Sequence, residues 1–449
     1  MAEKQRPVVE APLSVIEAIP FDERVYSTFF LTIKSPEGVD PDQLENALVA
    51  VANRHPMLHS KKEKRDGITW ITNDIQDPMP LIVIERQDED TWRTVVANEF
   101  KKGFNSNSCR WKVILLQGRE SVEAGERTDE LLIIADHGTM DGISHISVVN
   151  DILKKLANPN IELEPLEYKG IMGNLAGLKY RTLAPIVEKA LEVISWTVWT
   201  RVGQEQWNKY LELNQEADYE TFDVNLTTEE TKRLLNFVAQ DKNGNERKIP
   251  VMGMLMAAFA QAFHEVHRDG KKEAKLYVPF NVRNQLPGIT EVDLGLFTGI
   301  AMPSVPLDTD IIEASFQAKK NLDTIIGIER ILNKTILMSA IKSGGITRQD
   351  VSAVFPIVPN YYAILSNLGK PKIPYQIGKY KVSNFRASTL GSPYEVAGLV
   401  MTDQDQLRIT FTHRVPPEET NKILTPDQVR NVANRIIEIL RGIPLPIEQ

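Results

Sequence analysis

Leu131-Leu132-Ile133-Ile134-Ala135 runs directly into Asp136-His137-Gly138-Thr139-Met140-Asp141-Gly142, and Ile143, Ile146, Val149 and Leu153 then recur at helical spacing. An apolar strand thus meets a polar turn that opens a helix. Two glycines give that turn backbone freedom, so an imidazole can be held at the end of a rigid strand. Histidine suits acid-base work, because its ordinary pKa near 6.5 leaves it mostly neutral at physiological pH and able to take a proton from a hydroxyl or amine. Asp141 is a candidate to orient it. The bland alternatives are a satisfied core histidine at His137 and a helix cap or structural ion pair at Asp141, and for Asp141 the structural role ranks above proton transfer. A metal site is disfavoured: a four-residue His/Asp spacing shares one face only on a helix, and no further ligand cluster accompanies it.

Outward from this stretch, the chain reads as α+β. Strands are expected at Val25 to Ile33, Ile68 to Thr72, Leu81 to Glu85, Trp111 to Leu116 and Leu131 to Ala135. A helix starts at Asp40-Pro41 and stops at His55-Pro56, and another covers Asp90 to Phe100. Residues 178–215 look helical throughout, with Trp196, Trp199 and Trp207, and separate a lobe at 1–177 from a second at 216–449. In that second lobe, strands are expected at Tyr219 to Val224, Ala274 to Phe280, Phe297 to Val305, Tyr361 to Leu365, Lys381 to Ala387, Val396 to Met401 and Leu407 to His413. Helices are expected at Thr227 to Ala239, Val251 to His267, Ile311 to Ile326 and Pro426 to Leu440. Asp241 to Asn245 imitates the start of a calcium loop, but the later ligands are missing and it reads as a turn.

Composition narrows the function classes. The chain has 449 residues, 42% hydrophobic and 25% charged, with a formal net charge of −8. That is ordinary globular make-up with enough length for two or three cores. Lysines and arginines are scattered rather than striped, which argues against nucleic acid. The single cysteine, Cys109, has no partner and fits a reducing compartment. Met1 to Pro7 lacks the apolar run of an export signal, so a cytoplasmic protein is expected. Val251 to Phe263 is too short to cross a bilayer core of about 30 Å, so no membrane span is expected.

His137 to Gly142 resembles the HxxxDG core shared by nonribosomal peptide condensation domains, polyketide-associated acyltransferases, plant-type acyltransferases and fungal acetyltransferases. Arg54-His55-Pro56-Met57-Leu58 resembles an early segment of the same superfamily, Val278 to Arg283 followed by Leu294-Gly295-Leu296-Phe297 its arginine strand, and Ser366-Asn367-Leu368-Gly369 a late element. The resemblance implies two chloramphenicol-acetyltransferase-like lobes in a V around a central tunnel. His137 would be the general base, supported by Asp141, Gly142 and Arg283, with Arg283 pairing to Asp141. Asp136 and Asn367 would line the tunnel. The implied reaction moves an acyl group from a coenzyme A or carrier-protein thioester to the hydroxyl or amine of a small molecule, with no resident cofactor or metal and a monomeric chain. Asp136 stands where condensation domains have a first histidine, Thr298-Gly299 replaces their asparagine, and His59 replaces an arginine. These departures speak against peptide-bond formation. Two readings stay open beside transfer: a non-catalytic module recruiting a carrier protein or partner enzyme, and a tunnel repurposed for cyclisation or isomerisation. Asp136 sustains the first, since a carboxylate beside His137 would favour its protonated, inert form.

Overall fold

The computed structural model describes residues 10–12, 24–65, 68–72, 81–104, 108–118, 125–169, 218–240, 246–268, 270–286, 288–343, 361–391, 396–415 and 424–443. In chain order, the first part contains β1 (Glu10–Pro12), β2 (Tyr26–Ser35), α1 (Pro41–Arg54), β3 (Lys61–Arg65), β4 (Ile68–Thr72), β5 (Leu81–Glu85), α2 (Thr91–Lys102), β6 (Trp111–Gln117), β7 (Arg127–Asp136) and α3 (Gly142–Ala157). The second contains β8 (Asp218–Asn225), α4 (Thr228–Asn236), β9 (Val238–Gln240), β10 (Glu246–Lys248), α5 (Val251–His267), β11 (Glu273–Asn281), β12 (Thr298–Ala301) and β13 (Ser304–Pro306). It continues with α6 (Ile311–Ser343), β14 (Tyr361–Gly369), β15 (Gln376–Ile377), β16 (Tyr380–Leu390), β17 (Val396–Asp403), β18 (Gln406–Val415) and α7 (Pro426–Gly442).

Two large sheets carry the fold. The first has the order β15-β16-β2-β7-β6-β5. Its central strand β7 is apolar residue after residue because both faces are covered. Leu131, Ile133 and Ala135 pack with Leu44, Leu48 and Val51 of α1 and Val149 and Ile152 of α3. Leu132 and Ile134 pack on the other side with Trp92, Val96 and Phe100 of α2. The second sheet has the order β12-β11-β14-β17-β18-β8, with β11, β14 and β17 parallel. Its core is filled by Met254, Phe259 and Phe263 of α5 and by Val429, Val432 and Ile436 of α7. Among the described residues no helix is long and apolar enough to cross a membrane.

Several expectations change. The strand at Tyr380–Leu390, assigned to the 216–449 lobe, pairs antiparallel with β2 in the first sheet. Its residues Tyr380, Val382 and Phe385 join the first core, and it covers what would otherwise be an open edge of β2. The lobes are therefore not contiguous in sequence. The helix expected to reach Ala239 ends at Asn236, since Phe237 is extended and residues 238–240 pair antiparallel with 246–248. The turn expected between them, 241–245, lies outside the described residues, as does the helical connection expected at 178–215. The strand expected over Phe297 to Val305 is two strands separated by Met302-Pro303, where proline has no N–H for the ladder. The helix from Ile311 continues past Ile326 to Ser343. Strand β3, Lys-Lys-Glu-Lys-Arg, has no apolar alternation and gave no signal.

One buried charge makes stability sensitive to pH. Burial pushes the Glu130 carboxyl up to about 7, against the opposing charges of Arg86 and Arg386. Arg86 lies 3.0 Å away. Because the folded-state value is raised, this group's stabilising contribution is complete below its unfolded value near 4.5 and is lost as pH rises through about 7. Glu130→Gln is expected to raise unfolding free energy by about 1–3 kcal/mol at pH 8, with the gain shrinking at pH 5.5. Urea titrations at both pH values check this; a gain that does not change with pH would contradict it.

Candidate active site

The site is built where β7 ends and α3 begins. The backbone N–H of His137 donates to the Val25 carbonyl at 2.9 Å, which continues the pairing of β7 with the strand beside it. The His137 ring is partly exposed. Its Nδ1 lies 3.2 Å from the Met140 carbonyl oxygen. A carbonyl can only accept, so Nδ1 carries a proton, and in the neutral ring Nε2 then presents its lone pair. Among the described residues no hydrogen bond engages Nε2.

Each end of the His137 turn is fixed by a buried carboxylate. Asp136 is fully buried. Its Oδ1 accepts from Lys62 Nζ at 2.7 Å and from the Gly138 amide at 3.0 Å, and its Oδ2 accepts from Arg110 Nη2 at 2.9 Å. Burial pushes the Asp136 carboxyl up, but the charges of Lys62 and Arg110 outweigh it and hold the group below the ordinary carboxylate value. Asp136, expected to line the tunnel, is instead an internal strut, because two buried cations require its charge. Its carboxylate is committed to them and is not a free counter-ion for His137.

Asp141 fixes the other end. It is the N-cap of α3, accepting from the Ser144 amide at 2.9 Å. It also receives Arg283 in a bidentate pair, Nη1 at 2.7 Å and Nη2 at 2.9 Å. The Phe297 amide donates to Oδ2 at 3.1 Å. Arg283, in the short 3-10 turn just after β11, lies over the Phe297 ring at 4.6 Å. Burial again pushes the Asp141 carboxyl up, and the Arg283 charge with these hydrogen bonds brings it below its usual value. Cap and ion pair are thus one arrangement, and it joins the loop of the first sheet to the second sheet.

Gly142 leaves room for a leucine, which would have to shift to admit a larger residue. A Cβ there would lie 2.4 Å from Leu368 Cδ2, on β14 of the second sheet. Neither Gly138 nor Gly142 has positive φ, so the backbone freedom inferred from sequence is not the reason for them. Asn367, next to Leu368, is turned toward Met252 Sδ at 3.9 Å and accepts from the Gly369 amide at 2.9 Å. Among the described residues no hydrogen bond joins it to His137. His145 is buried and lies 2.8 Å from Ser27 Oγ through Nε2. Sequence reading missed Lys62, Arg110, Ser27 and Ser144. The spacing Asp141-x-x-Ser144 was a visible capping signal; Lys62 sits in a run that looks like a solvated face. Among the described residues no group of three His, Cys, Asp or Glu could hold a metal.

No family model matches the sequence, and no curated protein matches it. Solved structures do match over nearly the full length. A trichothecene 15-O-acetyltransferase from Fusarium sporotrichioides aligns at TM-score 0.70 and 12% identity, covering 99% of this chain and 97% of that one. The epimerization domain from the third module of tyrocidine synthetase B aligns at 0.63 and 15%, covering 99% and 98%. Polyketide synthase associated protein 5 from Mycobacterium tuberculosis aligns at 0.61 and 12%, covering 98% and 99%.

Removal of the Asp136 carboxylate leaves Lys62 and Arg110 buried without their anion. Asp136→Ala is expected to lower unfolding free energy by about 3–5 kcal/mol in urea denaturation. A loss below about 1 kcal/mol would mean the two cations find other compensation.

Proposed function

With the two-lobed fold of condensation domains and chloramphenicol-acetyltransferase-like enzymes as premise, we propose that this protein is an acyltransferase. It moves an acyl group from a thioester, on coenzyme A or a carrier protein, to the hydroxyl or amine of a small molecule. The observation that supports this most is the tautomer of His137: with Nδ1–H given to the Met140 carbonyl, the Nε2 lone pair is free to act as general base.

Nε2 takes the proton from the acceptor O–H or N–H as the oxygen or nitrogen bonds to the thioester carbon. The carbonyl oxygen becomes an oxyanion. As the tetrahedral centre collapses, the C–S bond breaks and the thiolate leaves with the proton from the imidazolium. The Nδ1–H donation to Met140 strengthens while the ring is positive, so it favours the transition state over the resting state. The pairing of Asp136 with Lys62 and Arg110 supports transfer over a non-catalytic module, because the carboxylate that would have kept His137 protonated is already neutralised.

A phosphate-bearing donor would suit a lysine-lined surface. A cleft of about 540 Å³ beside the start of α5 is lined by Lys248, Pro250, Phe316, Lys319 and Lys320. Lys319 is paired with Asp323 at 2.5 Å, which leaves Lys248 and Lys320 as the cations to meet phosphate. Met252, one step along α5, reaches Asn367, whose neighbour Leu368 packs on Gly142.

Acyl-coenzyme A donors with mixed alcohols and amines, followed by thiol release and product mass, test the proposal. His137→Ala is expected to lower kcat about 10²–10⁴-fold. Lys248→Glu combined with Lys320→Glu is expected to raise KM about tenfold for acyl-coenzyme A, and less for a pantetheine thioester lacking the nucleotide phosphates. Silence with every coenzyme A and carrier-bound donor from a folded protein would overturn transfer in favour of the module reading.

A further inference from the structure

His145 and Ser27 form a buried array beneath the His137 turn that acid-base chemistry at His137 does not itself require. Ser27, on β2, is 5% exposed and His145, in the first turn of α3, 1% exposed. Ser27 Oγ donates its single proton to the Met140 carbonyl at 2.7 Å. It therefore accepts from His145 Nε2–H, 2.8 Å away. Burial first, then the charge of neighbouring His137, lowers the His145 value to about 3, so His145 stays neutral and keeps one proton for this bond. Its ring is held by stacking on Phe29, with centroids 6.1 Å apart and planes at 17°.

The Met140 carbonyl thus receives two donors from opposite partners: Ser27 Oγ–H and His137 Nδ1–H. We propose that Ser27 and His145 are positioning residues that hold the Met140 carbonyl against His137 Nδ1, and so select the tautomer that leaves Nε2 unprotonated. Two features point to this rather than to packing alone. His145 Nδ1 is buried with no hydrogen-bond partner, so an apolar side chain would fill the same space without an orphaned nitrogen. And among the described residues the side-chain hydrogen bond of the ring goes to the hydroxyl that anchors Met140. Ser27 is placed by strand register: it pairs with Ala135 in β7, one position before Asp136. The array runs His145 Nε2–H to Ser27, Ser27 Oγ–H to Met140 O, and His137 Nδ1–H to the same oxygen. No proton passes through a carbonyl, so this is a brace and not a relay.

The inference rests on His137 being the base, but its test does not need turnover. Protein labelled with ¹⁵N-histidine reports the tautomer of each of its seven histidines through long-range ¹H–¹⁵N couplings, with His137→Ala identifying the His137 signals. In the wild type, His137 is expected as the Nδ1–H form. Ser27→Ala and His145→Phe, the latter keeping the stack on Phe29, are expected to add the Nε2–H form and to cut kcat about tenfold with KM little changed. His145→Gln, whose amide can donate to Ser27, is expected to restore most of the Nδ1–H population. An unchanged His137 tautomer in folded Ser27→Ala protein, or no difference between His145→Phe and His145→Gln, overturns the inference. A tautomer that responds as expected in a protein without transferase activity upholds the brace and removes the transfer reading.

Discussion

The bidentate pair between Arg283 and Asp141 is the constraint on which the rest of this structure depends. Both groups are almost wholly buried, at 2% and 3% exposure. Taking two charges out of water costs several kcal/mol for each ion, and attraction between them offsets this only if the remaining donors and lone pairs are also met. On the carboxylate they are met: its two oxygens receive both terminal guanidinium nitrogens, the Ser144 amide and hydroxyl, and the Phe297 amide, while Arg283 Nε is buried without a hydrogen bond among the described residues. Arg283 also donates to Ser144 Oγ and to the Asp293 carbonyl, and rests over Phe297. Every one of these partners except Ser144 belongs to the second lobe. A single residue of the His137 loop is therefore tied to a strand end, an aromatic ring and a backbone amide of the opposite sheet.

That tie, together with Asp136 at the other end, converts a short loop into a rigid mount. The turn from Asp136 to Asp141 has its first side chain clamped by Lys62 and Arg110 and its last by Arg283. Between them the Met140 carbonyl fixes the His137 ring. Leu368 against Gly142 adds a steric stop from β14. The imidazole is consequently held by two lobes at once, which is the preorganisation that a proton-transfer geometry needs. The two buried carboxylates nearest the turn are each neutralised by cations, so the loop carries charge without presenting an unpaired anion to the ring.

Much of this was legible in the sequence because local and global signals agree there. The apolar run 131–135, the helical spacing after Gly142 and the Asp40-Pro41 cap predict elements that the structure places within a few residues. The Asp141–Arg283 pairing followed from motif resemblance. What was hidden depends on long-range geometry. Strand Tyr380–Leu390 joins the first sheet because β2 lacks a neighbour on that side, and nothing within 380–390 says which lobe it will enter. Lys62 looks solvated in a run of charges, yet it is buried on Asp136, 74 residues away in sequence. Ser27 looks like an ordinary strand residue, and only its register beside Ala135 brings it under Met140. Asp136 was read as a perturbing neighbour of His137, since sequence shows adjacency but not the direction in which a carboxylate points.

Asp141 and Arg283 act as one unit that joins the lobes around His137. A double-mutant cycle with Asp141→Asn and Arg283→Met, read by urea unfolding, measures that directly. Each single change is expected to be strongly destabilising, and the double variant to lose less than their sum by about 1–3 kcal/mol. Additive losses, with no coupling between the two sites, would contradict it.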